Sequence, residues 1–173
     1  MTFDPAAEYL ATTIEELRKL EKLAARALEQ VSGEEKLVPL SPDSNSIAII
    51  LKHMAGNMRS RWTDFLETDG EKPDRNRDME FEVGAGDSLP EIEARWQAGW
   101  DLLFRTLESL RPEDLGRTVI IRGERMSVLA AVQRQLAHYA SHVGQIVLLA
   151  KHWTGPRWRT LSVPKRKPGQ TPG

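Results

Sequence analysis

Apolar residues recur at helical spacing along four long stretches of this chain. From about Pro5 to Val31, a stripe of Leu10, Ile14, Leu17, Ala24, Leu28 and Val31 keeps separations of three, four and seven, and Ser32-Gly33 ends it. A loop with Pro39, Pro42 and Asp43 follows. Ser44-Asn45-Ser46 then offers caps for a second helix, about Ser46 to Thr68, closed by Asp69-Gly70. The stretch Glu71 to Asp87 is charged and poor in large apolar residues, which predicts a long surface loop. Ser88-Leu89-Pro90-Glu91 supplies a cap and a first-turn proline for a third helix. That helix reaches about Leu110 and turns Ile92, Trp96, Leu103, Leu107 and Leu110 inward. The period then changes, and Arg117 to Met126 reads as a short β-hairpin or extended excursion turning near Gly123. Ser127 caps the last helix, which carries Val132, Tyr139, Val143, Ile146, Ala150 and Trp153 on its core stripe and stops at Gly155-Pro156. Four helices of about 20 to 27 residues with one long connection predict an all-α four-helix bundle over residues 1–156. A basic tail, 157–173, follows it, and its Pro-, Gly- and Lys-rich end is expected to be disordered.

Composition narrows the function classes. The 173 residues suit one domain with a substantial core, and 40% apolar with 28% charged residues is ordinary for a globular chain. A net charge of -1 gives no general attraction to nucleic acid or anionic membranes, so neither is expected as a partner. The basic cluster Lys165-Arg166-Lys167 reads as a solvated end. No apolar run approaches the roughly 18 residues of a membrane span. Met1 to Pro5 lacks the features of a secretory signal, and a cytoplasmic location is expected. The absence of cysteine excludes disulfides, thiolate metal ligands and a cysteine nucleophile. Neither phosphate-binding glycine pattern occurs, nor does the G-x-S-x-G elbow of acyl hydrolases. The residues three before His138 and His142 are Gln135 and Tyr139, which argues against a carboxylate-bridged di-iron bundle.

The chemistry that remains is in the histidines. His138 and His142 are one turn apart, so the second side chain is rotated by only about 40° from the first and both imidazoles can face one ion. His53 lies in another apolar helical segment, Ser46 to Met54. Two ligands from one helix and one from another would form a three-histidine site with open coordination positions, as catalytic metals have. Histidine pairs at this spacing also occur as hydrogen-bonded core groups. Gln135 and Gln145 share the face of the pair, while Ser46, Asn57, Ser60 and Asp64 share that of His53 and could orient its second ring nitrogen. His152, the fourth histidine, is turned by roughly 80° from His142 and reads as a helix-terminal residue. Of the five tryptophans, Trp62 is the best placed to line a pocket, with the remainder expected in the core.

At His138-Tyr139-Ala140-Ser141-His142-Val143-Gly144-Gln145-Ile146 the sequence resembles the DinB/YfiT-like superfamily, whose last helix carries H-x-x-x-H-x-G-Q-[IL]. Ser46 to Met54, an apolar run ending near His53, is similar to that family's second-helix motif. The likeness extends from the first helix through Trp153 and is closest to a DinB-like branch of unknown function, which also has a segment similar to Trp158-Arg159-Thr160-Leu161-Ser162-Val163-Pro164. The resemblance implies an up-down-down-up bundle, a homodimer, and a divalent transition metal, nickel or zinc, held by His53, His138 and His142. It also implies a transferase acting on small-molecule electrophiles with an exogenous low-molecular-weight thiol such as bacillithiol or mycothiol. Metal-activated hydrolysis and a non-enzymatic metal- or ligand-binding dimeric bundle are the alternatives. Asn57, Arg61, Trp62 and Gln145 are the candidate pocket residues.

Overall fold

The computed structural model describes residues 3–162. Asp4 accepts from the backbone N–H of Ala6 and Ala7 and, with Pro5 in the first turn, starts α1 (Pro5–Leu28). A reciprocal capping pair, Ser32 and Glu35, opens a one-turn helix, α2 (Gly33–Leu37), inside the stretch predicted as loop. The other long helices start at the predicted caps: Ser46 for α3 (Ile47–Trp62), Ser88 for α4 (Leu89–Ser109) and Ser127 for α5 (Val128–Thr154). Gly155, with a positive φ of 54° that favours glycine, closes α5.

The helix ends correct two predicted boundaries. The first helix stops at Leu28, and Val31 is buried from the turn beyond it. The second stops at Trp62 instead of Thr68, because Thr63 turns extended and Asp64 adopts a φ of 46°. That bend folds Phe65 back onto Trp62, ring centroids 4.8 Å apart.

The four long helices form a bundle in which α1 packs on α5 and α4, while α3 packs on α4 and α5. Consecutive long helices α1 and α3 thus occupy opposite corners. The expected hairpin is present: β1 (Thr118–Ile121) pairs antiparallel with β2 (Glu124–Ser127), Val119 opposite Met126. Its two turn residues, Arg122 and Gly123, both have positive φ, the conformation a tight two-residue hairpin demands. Asp69 pins this turn to the loop after α3 by accepting from the N–H of Arg122 and of Gly123, each at 2.8 Å. No helix among the described residues is long and apolar enough to cross a membrane.

Arg157 and Arg159 of the basic segment fold back on the bundle. The Arg157 guanidinium donates to Glu35 at 2.9 Å and the Arg159 N–H to Gln30 at 2.7 Å. The expected disorder of the chain end, Lys165-Arg166-Lys167 included, lies outside the described residues.

Nearly every face of α3 is buried, as its run of Ile47, Ala48, Ile50, Leu51, Met54, Ala55 and Met58 requires. Polar groups on such a helix need partners. Trp62 donates its Nε1–H to the Tyr139 hydroxyl at 3.0 Å, and that hydroxyl donates to Asn57 Oδ1 at 2.9 Å. Tyr139 itself is fully buried, edge-on to Trp100. Tyr139→Phe would leave the Trp62 N–H and the Asn57 carbonyl unpaired, so urea unfolding is expected to show a loss of about 1–3 kcal/mol. A stability within about 0.5 kcal/mol of the parent would show that the bridge is energetically idle.

Candidate metal centre

Packing of α3 against α5 brings His53 to the α5 histidine pair. His138 Nε2 lies 3.3 Å from His53 Nε2 and 3.0 Å from His142 Nε2. The ligand nitrogens of all three lie within 4.8 Å of one another. His53 is buried, and His138 and His142 are half-buried. The exposed His152 takes no part.

Proton accounting shows what this cluster lacks. His53 Nδ1 faces Glu80 Oε2 at 3.0 Å, and His142 Nδ1 faces Gln145 Oε1 at 3.0 Å. Both are acceptors, so each Nδ1 carries a proton, and in the neutral ring Nε2 presents a lone pair. His138 Nε2 sits between those two lone pairs, and its own Nδ1 is buried with no hydrogen-bond partner. Protonated on Nδ1, His138 adds a third convergent lone pair; protonated on Nε2, it has one hydrogen to share between two acceptors. A cation at the meeting point satisfies all three nitrogens, and neutral imidazoles are ligands that divalent transition metals accept. Burial, with His142 and His53 alongside, pushes His138 down to about 3, and burial lowers His142 as well. Both rings are therefore neutral at pH 7, with no proton for a metal to displace.

The partner of His53 comes from the stretch predicted as a surface loop. Asp78–Phe81 forms a turn of 3-10 helix under α3, burying Glu80 and laying the Phe81 ring 4.7 Å from the His53 ring centroid. Glu80 also receives two hydrogen bonds from Arg75, at 2.8 and 2.7 Å, and Arg75 donates to Glu71 at 2.9 Å. Burial alone would raise the Glu80 carboxyl, but the bonds from Arg75 and His53 outweigh it and hold it below the usual carboxylate range. The polar residues expected to orient His53 do other work. Ser46 caps α3, Ser60 donates to the Gly70 carbonyl, Asn57 pairs with Tyr139, and Asp64 is exposed beyond the helix end. Gly56 makes room for Glu80, since a Cβ there would stand 2.6 Å from its Cδ.

A cavity of about 170 Å³ opens beside His53 and His138. Of the candidate pocket residues, Asn57 and Arg61 line it. Trp62 does not: it is 1% exposed and belongs to the core, because its position on α3 turns inward toward Tyr139. Gln145 is an exposed side chain that holds His142 and is not part of the lining.

The depressed histidines make stability pH-dependent. An unfolded chain binds protons at its histidines below about pH 6.5, whereas the folded protein keeps His138 neutral until about pH 3. Stability of metal-free protein is thus fully present above pH 6.5 and declines as pH falls below it. The slope from His138 stays under about 1.4 kcal/mol per pH unit, because a single ring binds at most one proton more in the unfolded chain than in the folded one. Urea unfolding at pH 7.5 and pH 5 is expected to show this loss, and His138→Gln should flatten it. Parallel profiles for parent and variant would contradict the assignment.

No curated protein and no solved structure matches this chain. One family model matches residues 4–167, from the cap of α1 past the end of α5, and on that span the chain belongs to the family described as "Protein of unknown function (DUF1572)".

Proposed function

We propose that this protein is a divalent-metal-dependent enzyme of the DinB/YfiT-like type, with His53, His138 and His142 as ligands to nickel or zinc. Its reaction is transfer of an exogenous low-molecular-weight thiol to a small electrophile. The observation that carries this reading is the convergence of three imidazole nitrogens beside an open cavity. A divalent ion bound there would supply a lowered thiol pKa, and hence a nucleophilic sulfur at neutral pH. The chain has no cysteine, so the thiol comes from solution.

The chain's own residues orient and exclude. Glu80 fixes the ring of His53, and Gln145 that of His142, the outer-shell arrangement that aims ligand nitrogens and raises their basicity. Phe81 covers His53 and limits water access from that side. Glu80 is the carboxylate at the centre, but it already accepts from Arg75 and His53 and is held ionised by them. A hydrolase would need a carboxylate free to take a proton from water, and this one is committed, which favours thiol transfer over hydrolysis.

Metal content by mass spectrometry, on protein purified without a histidine tag, tests the centre. Near one equivalent of a transition metal is expected in the parent and none in the His138→Ala/His142→Ala double variant. No metal in the parent, even after dialysis against zinc or nickel, overturns the proposal. The loaded protein should conjugate a low-molecular-weight thiol to at least one member of an electrophile panel. Gly56→Ala, which pushes Glu80 off His53, is expected to weaken zinc binding about 10- to 100-fold with all three histidines present. Unchanged zinc affinity would show that Glu80 does not tune the centre.

A further inference from the structure

Charge around the cavity is out of proportion to the rest of the chain. Five arginines, Arg61, Arg75, Arg77, Arg122 and Arg134, line it and no carboxylate does, although the net charge of the protein is -1. Arg75 is committed to Glu71 and Glu80. Arg61 is not committed to anything comparable. It is 2% exposed, and its Nε and Nη1 have no hydrogen-bond partner among the described residues. Its closest ion-pair contact is at the limit, Nη2 to Glu71 Oε2 at 4.0 Å, and that oxygen already accepts from Arg75 at 2.9 Å. A guanidinium with unmet donors, taken almost wholly out of water, is costly to the fold. The sequence nevertheless builds a place for it: Gly70 lies against the guanidinium, and a Cβ there would stand 2.6 Å from Nη1.

Two further cations reach the same cavity from separate elements. Arg122 stands at the hairpin turn, in a left-handed conformation with a φ of 57° that Asp69 locks by accepting its N–H. Arg134 lies one turn before His138 on α5, and so on the face that carries the histidine pair. It is exposed and has no ion pair among the described residues, whereas the Arg122 Nε stands 3.4 Å from Glu71 Oε2. Asn57 adds a donor: Tyr139 occupies its carbonyl, which leaves its amide N–H groups for the cavity.

We propose that this cavity is an oxyanion subsite, in which Arg61, flanked by Arg122 and Arg134, holds the carboxylate or phosphate of a small organic substrate. Arginine suits this task because its planar fork matches the oxygens of either group bidentately. A low-dielectric cleft lined by one sign of charge also concentrates the opposite ion. The volume of about 170 Å³ fits one such group and a few carbons. That the remainder of the substrate reacts at the histidines rests on the function proposed above; the anion subsite itself requires no metal.

Calorimetric titration of metal-free protein, with chelator removed, tests the subsite using inorganic phosphate and succinate as probes. Saturable one-to-one binding with a dissociation constant of about 1 mM or tighter is expected for at least one probe, weakening as salt rises. The stronger probe identifies the group as phosphate or carboxylate. Arg61→Gln and Arg134→Gln should each weaken binding about tenfold or more. Arg134 is exposed, so its variant decides the matter even if Arg61→Gln fails to fold. The His138→Ala/His142→Ala variant should keep the anion affinity, so loss of the metal function and loss of this subsite are told apart. Absence of saturable binding up to about 10 mM, or binding equally tight in the parent and both arginine variants, overturns the proposal.

Discussion

A carboxylate removed from water must find compensation for its charge, and the course of the chain between α3 and α4 follows from that requirement at Glu80. Arg75 supplies most of the compensation with two hydrogen bonds, and His53 completes it. To deliver both Glu80 and Arg75, the largely exposed segment after Glu71 turns these two side chains and Phe81 inward against α3. Gly56 leaves the hollow in which the carboxylate sits. The same set fixes His53 against Phe81 and sets its ring proton on Nδ1. Remove the carboxylate, and the buried Arg75 keeps only Glu71 as a partner while His53 loses its orientation. The histidine cluster and the loop that covers it therefore stand or fall as one unit.

The electrostatics of the two halves of the site oppose each other in an informative way. Five arginines next to three imidazoles disfavour any further positive charge; at His138, burial is the main cause of its lowered pKa and Arg61 and Arg75 add to it. A divalent cation placed at the histidines would feel the same repulsion, softened by Glu80. An anion seated on Arg61 would relieve it. By linkage, an ion that eases metal binding must itself bind more tightly when metal is present, by the same factor. The arrangement thus favours occupation of the two halves together over occupation of either alone.

How much of this was legible in the chain depends on whether a residue sits on a periodic element. The stripes through Leu17, Ile92 and Val143, the caps Ser46, Ser88 and Ser127, and the hairpin turn at Gly123 are local signals that the folded protein keeps. The pair His138 and His142 is also local. Asn57 and Arg61 reach the cavity wall because they follow His53 by one and two turns along the same helix face. Glu80 and Arg75 were not legible: they belong to an aperiodic, charged stretch, in which Glu80 is buried against His53, 27 positions away on α3, and Arg75 follows as its ion partner. Trp62 misled for a related reason. Helical spacing places it one residue past Arg61, and that 100° step separates the cavity from the core. Only the Trp62–Tyr139–Asn57 chain shows which side it faces.

The overall charge of -1 has a consequence for how such a site would fill. Charges over the whole chain nearly cancel, so an anionic substrate approaching from solution meets little net attraction beyond a Debye length, about 8 Å at physiological salt. Attraction begins only near the cavity mouth, where Arg77, Arg122 and Arg134 stand toward solvent and Arg61 is buried behind them. Selectivity then arises at the last step, from the fit of an oxyanion to a fixed guanidinium, and not from long-range steering. Arg61 can be that fixed group because α3 is buried on nearly every face and its side chain is packed against Gly70. The rigidity that makes its unmet donors costly without a ligand is the same rigidity that orders them in advance for one.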